Sequence, residues 1–151
     1  MPGANLPDTA HEEVQIAASP SLCFGIAADF EEYPTWADDV KSVTVLEHDT
    51  DGRATQVEYH ASALGRSVRY VLAYDFADAP RAFSWSLVEG DLVRAIDGRY
   101  AFAPRDGGTL VTYDLRVDLA LPLPGIVKRK AAGMITGTAL QGLKRVAEGG
   151  A

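Results

Sequence analysis

Tyr59, Tyr70, Tyr74, Trp85, Tyr100 and Tyr113 are the residues of this chain whose type and spacing could build a site. Each sits in a stretch where apolar and polar residues alternate, the period-2 pattern of a half-buried strand. Each falls on the apolar side, in the company of Val68, Leu72, Phe83, Leu87, Phe102, Leu115 and Val117. Rings with hydroxyl tips leave two outcomes open. They either fill a core and reach water with their edges, or line a small-molecule pocket whose few polar groups meet a ligand. Arg94 shares this parity with Leu92, Ile96 and Tyr100. A guanidinium on an apolar face needs an anionic partner, a ligand carboxylate or a phenolate. Alternatively, Gly90 or Gly98 marks a bulge that turns Arg94 outward.

Other chemistries find less support. His11, His48 and His60 stand on separate strands without zinc-ligand spacing, so no metal is expected. Cys23 is the one cysteine, which rules out an intramolecular disulfide and fits a reducing compartment. It lies in an apolar helical pattern without a nearby His or Lys, the setting of a buried, inert thiol. Asp29, Glu31, Glu32, Asp38 and Asp39 read as a solvated surface, since spacing places no carboxylate pair in a pocket. A net charge of −7 disfavours a nucleic-acid partner, and the cluster Lys128, Arg129, Lys130 reads as a solvated helix start. The N-terminal stretch lacks the basic and apolar regions of a signal peptide, and no apolar run reaches the ~20 residues of a membrane span. The expectation is a soluble, cytoplasmic protein without stable membrane insertion, its oligomeric state open.

These residues need elements to hold them. Residues 1–8 carry Pro2, Gly3, Asn5 and Pro7 and read as a loose arm, with 9–148 as one domain and 149–151 as a tail. Val14 and Ile16 alternate with Glu13 and Gln15 in a first strand. Ser19-Pro20 then reads as an N-cap with proline at N1, opening a short helix. A second short helix or turn carries Trp36. From Val40 to Leu119 the pattern is strand upon strand, ending in the "RDGG" hairpin between the last two. The final stretch is a helix. At ~100° per residue, Ala131, Ala132, Ile135, Ala139, Gly142, Leu143 and Val146 gather on its apolar face, with Gly133 and Gly137 on the wet side. The fold class is α+β, one antiparallel sheet with helices on one face and water on the other.

The first strand running into "SPSLCFGIAADFEEYPTWADDVKSV", the tyrosine-rich strands, "GRYAFAPRDGGTLVTYDL" and the long final helix carry a resemblance. Over about His11 to Glu148 the chain resembles the START-like, helix-grip superfamily (SRPBCC), labelled polyketide cyclase/dehydrase and lipid transport. The resemblance implies a curved antiparallel sheet of about seven strands gripping a long C-terminal helix, with two short helices after the first strand. It also implies a cavity between sheet and helix for apolar or aromatic ligands, and neither a shared catalytic residue nor an obligatory cofactor. In such a protein the Trp36 region closes one end of the cavity, so Trp36 is either a lid indole or a core plug.

The expected ligand-binding residues are therefore Trp36, Tyr59, Tyr70, Tyr74, Trp85, Arg94, Tyr100, Tyr113, Ile135 and Ala139. Small residues on the helix either seat it tightly on the sheet or leave a gap, and the facing rings favour the gap. Three functions compete. The first is a carrier or sequestering protein for a small hydrophobic ligand such as a lipid, isoprenoid or polyketide. The second is a cyclase or dehydratase in which a tyrosine or Arg94 serves as acid or oxyanion stabiliser. It ranks lower because no general base can be placed. The third is an interaction module, since some relatives with a similar Y-P-x-W region are quinone-binding proteins or ribosome-associated toxins.

Overall fold

The computed structural model describes residues 8–63 and 65–149. Seven strands form one antiparallel sheet: β1 (Asp8–Ile16), β2 (Val40–His48), β3 (Ala54–Ala63), β4 (Arg66–Asp75), β5 (Ala82–Gly90), β6 (Val93–Arg105) and β7 (Gly108–Leu119). Their spatial order is β1-β7-β6-β5-β4-β3-β2, so the first two strands of the chain lie at opposite edges. The connection between them carries helices α1 (Pro20–Ala27) and α2 (Tyr33–Trp36), with a 3-10 turn at Phe30–Glu32 between. Helix α3 (Gly125–Gly149) closes the chain. The curved sheet gripping a long C-terminal helix is the expected architecture. Asp8, assigned to the arm, opens β1, and Gly149, assigned to the tail, ends α3; residues 1–7 and 150–151 lie outside the described residues.

Local chemistry explains the punctuation. Ser19 Oγ accepts the Leu22 N–H at 3.2 Å, with Pro20 at the first position of α1, as the Ser-Pro pair predicts. At the β6–β7 hairpin Asp106 and Gly107 have φ of 51° and 79°, the left-handed pair that a tight primed turn requires. Burial on β7 alternates as the sequence predicts. Val111, Tyr113, Leu115, Val117 and Leu119 are buried, while Asp114 and Arg116 are exposed.

The packing of α3 decides where open space remains. It lies chiefly against β1 and β7, at one side of the sheet. Ala131, Ala132, Gly142 and Leu143 are buried as the periodicity predicts, and Thr136, Leu140 and Ala147 join them, which widens the buried face beyond the expected one. The Thr136 hydroxyl donates to the Glu12 carboxylate on β1. Ile135, Ala139 and Val146, expected at the centre of the face, are only half-buried. Gly133 faces open space, whereas Gly137, expected on the wet side, sits against the Glu12 carboxylate. With the helix displaced to one side, the sheet from β3 to β6 is roofed by α2 and one flank of α3.

Candidate functional site

A cavity of about 180 Å³ lies under that roof. Strands β3 to β7 furnish its floor, because the pleat sends every second side chain to the same face. Tyr59, Tyr70, Tyr74, Trp85, Tyr100 and Tyr113 all line it, as the strand parity predicts. Trp36 closes it from α2, and Ile135 and Ala139 from α3. Nine of the ten expected residues thus meet around one space.

Arg94 is the exception, and the expectation that it shares the apolar face is corrected. The pairing of β6 with β7 shifts register between Val93 and Ala95. The extra residue breaks the alternation, so Val93 and Ile96 both line the cavity and Arg94 turns to the opposite face. There its Nε and Nη2 donate to the Asp118 carboxylate, each at 3.2 Å. Gly90 and Gly98 are not the bulge. Gly98 faces Trp85 across the β5–β6 ladder, and a Cβ there would fall 2.2 Å from the indole ring. It is the seat on which Trp85 lies.

The rings make a continuous assembly. Tyr59 and Tyr70 stack at 5.3 Å between centroids, Tyr100 meets Tyr113 at 4.7 Å, and Trp85 meets Tyr113 edge-on at 5.6 Å. Trp36 packs edge-on against Tyr33 at 5.0 Å. The helix comes close behind it, since a Cβ on Gly142 would stand 2.8 Å from Trp36 Cε3. The small residues of α3 therefore serve both expected purposes: Gly142 admits the indole, and Ala139 leaves space.

The hydroxyls divide into two groups. Tyr33 donates to the Ala27 carbonyl, and Tyr59 and Tyr74 hydrogen-bond each other at 2.6 Å. Among the described residues the hydroxyls of Tyr70, Tyr100 and Tyr113 have no protein partner, yet no buried side-chain polar atom is left unsatisfied. Those three tips therefore open into accessible space, and the space their rings line is the cavity. Burial raises the pKa of all six tyrosines above the ordinary phenol value; for Tyr70 the value is pushed up to about 12, with the charge of Asp39 adding to burial. At neutral pH each is an uncharged hydroxyl, able to donate or accept.

Sequence reasoning missed several lining residues. Tyr33 and Thr138 line the cavity, as do Asp38 and Asp39, which were read as plain surface and stand exposed at its mouth. The Tyr33-Pro34 pair was the available signal, since proline at N1 or N2 begins α2 and pins Tyr33 at its start. Among the described residues no group of three His, Cys, Asp or Glu side chains could hold a metal ion. Cys23 is fully buried, and burial pushes its thiol pKa up. No described helix is long and apolar enough to cross a membrane.

Comparison with known proteins agrees with this geometry. A family model described as polyketide cyclase/dehydrase and lipid transport matches residues 8–148. A START superfamily protein from Mycobacterium smegmatis is similar at 28% identity, covering 95% of this chain and 99% of that one, with a TM-score of 0.88. A protein from Thermus thermophilus is 23% identical over 95% and 99% of the two chains, with a TM-score of 0.82. The Zhui aromatase/cyclase from Streptomyces is 17% identical over 94% of each, with a TM-score of 0.80. None of the curated proteins matches the chain.

Proposed function

Because this chain belongs to the polyketide cyclase/dehydrase and lipid transport family, we propose that it binds a small apolar or aromatic ligand in the cavity between sheet and α3, as a carrier or sequestering protein. The observation that carries the reading is the set of three hydroxyls, Tyr70, Tyr100 and Tyr113, that open into an apolar chamber without a partner among the described residues. A core that merely packs rings satisfies its hydroxyls internally. An apolar wall with a few convergent polar tips fixes the orientation of a ligand. The volume also speaks to size. An engineered apolar cavity of about 150 Å³ holds benzene, so about 180 Å³ suits one or two rings. A longer lipid or polyketide chain requires α2 and α3 to part. The single cysteine fits work in the cytoplasm.

A second reading, a cyclase or dehydratase using the same cavity, has one observation in its favour. The unpaired hydroxyls can donate to a substrate carbonyl. Arg94, a candidate oxyanion stabiliser, faces away. The carboxylates of the lining, Asp38 and Asp39, stand exposed at the mouth, where water solvates them. Binding without turnover is the function these residues support best.

Calorimetric titration with 2-naphthol, an uncharged bicyclic phenol, tests the reading. Saturable one-to-one binding is expected, and it should vanish in Ile135→Trp and in Ala139→Leu, which fill the cavity from the helix side. Unchanged binding in both folded variants would move the site elsewhere.

A further inference from the structure

The cavity wall also bears on the charge of what it holds. Its described lining contains no Lys, Arg or His; the charged residues are Asp38 and Asp39, at the mouth. The neighbouring arginines are committed elsewhere. On the outer face of the sheet Arg69 pairs with Glu58 at 2.6 Å and Glu89 at 3.0 Å, Arg116 pairs with Asp97 at 2.6 Å, and Arg94 pairs with Asp118. Arg145 donates to the Trp36 carbonyl at 3.1 Å, behind the wall. Lys41 follows the lining residue Val40 on β2 and reaches the Asp38 carbonyl at 3.4 Å. A carboxylate entering here passes two acidic residues, loses its hydration and meets no counter-charge in the described lining, a costly transfer. The ring faces add to the bias, because aromatic quadrupoles attract cations and repel anions. The field of Asp39 is already felt at Tyr70, where it reinforces the effect of burial.

We propose that the cavity is a charge filter, admitting neutral or monocationic aromatic ligands and refusing carboxylates of the same shape. The inference rests on the cavity being the ligand site. It predicts that free fatty acids and aromatic acids are poor occupants. Phenols, ketones, alcohols and aryl-alkyl amines of one or two rings are good ones.

Three matched probes separate the outcomes: 2-naphthylmethanol, 2-naphthylmethylamine as its ammonium, and 2-naphthoate, each titrated calorimetrically at neutral pH and low salt. The alcohol and the ammonium should bind, and the carboxylate should bind at least about tenfold more weakly, the step worth about 1.4 kcal/mol. In the double variant Asp38→Asn, Asp39→Asn the ratio of ammonium to alcohol affinity should fall about three- to tenfold, since exposed charges act modestly. Naphthoate binding as tightly as the alcohol overturns the filter and leaves the ligand site standing. Binding by none of the three overturns the ligand-site reading, and the filter with it.

Discussion

Replacing Gly142 with alanine tests how tightly α3 and Trp36 bound the cavity. Two effects oppose each other at this position. Alanine in a helix interior is favoured over glycine by up to about 1 kcal/mol. Against that, the new Cβ would sit 2.8 Å from Trp36 Cε3, 3.2 Å from Cζ3 and 3.3 Å from the Trp36 carbonyl oxygen. Carbon atoms prefer about 3.5–4.0 Å, so the indole must retreat by most of an ångström. It has little freedom to do so. Its backbone carbonyl is held by Arg145 at 3.1 Å, and its ring is braced edge-on by Tyr33. Overpacking of this kind costs about 1–3 kcal/mol, so Gly142→Ala should come out neutral to about 2 kcal/mol less stable.

Gly133 supplies the control within the same helix, because a Cβ there meets nothing within 4 Å. Gly133→Ala should gain the helix preference outright. The two variants should then differ by about 1–3 kcal/mol, or several degrees in Tm at about 2–4 °C per kcal/mol for a chain of this size. Urea unfolding followed by circular dichroism reads the difference, and tryptophan fluorescence reports any shift of Trp36. Gly142→Ala proving as stabilising as Gly133→Ala would refute the tight contact between α3 and the cavity's roof.

Other predictions follow from the same geometry. Gly98→Ala should destabilise by about 1–3 kcal/mol or more, since its Cβ would strike the Trp85 ring at 2.2 Å; it should also shrink the cavity, so both melting and 2-naphthol binding should fall. All six tyrosines of the chain have raised pKa values, chiefly through burial, so the folded state favours their protonated forms. That stability is fully present below the unfolded phenol value near pH 10 and is lost as pH rises towards the folded values. Ultraviolet titration should show little tyrosinate near pH 10 and then a steep, cooperative rise as the fold opens; six independent titrations centred near pH 10 would contradict it. Arg94→Ala should leave ligand binding unchanged and cost about 1–2 kcal/mol, because Arg94 is half-exposed but its partner Asp118 is largely covered.

The sequence by itself determined the architecture and most of the wall. Alternation from Val40 to Leu119 has one physical cause, the pleat that sends successive side chains to opposite faces, so the inward positions of Tyr59, Tyr70, Tyr74, Trp85 and Tyr113 followed from counting alone. The Ser19-Pro20 cap and the Asp106-Gly107 turn were legible because each rests on the conformational preference of one or two residues. Tertiary structure decided the rest. One extra residue between Val93 and Ala95 reversed the face of Arg94, and no local pattern announces a bulge fixed by pairing with a distant strand. The seat of α3 against β1 and β7 extended its buried face to Thr136 and Leu140, leaving Ile135 and Ala139 at the cavity. Whether the tyrosines filled a core or lined a chamber hung on that displacement, because empty space is a property of how elements are placed and not of any residue within them.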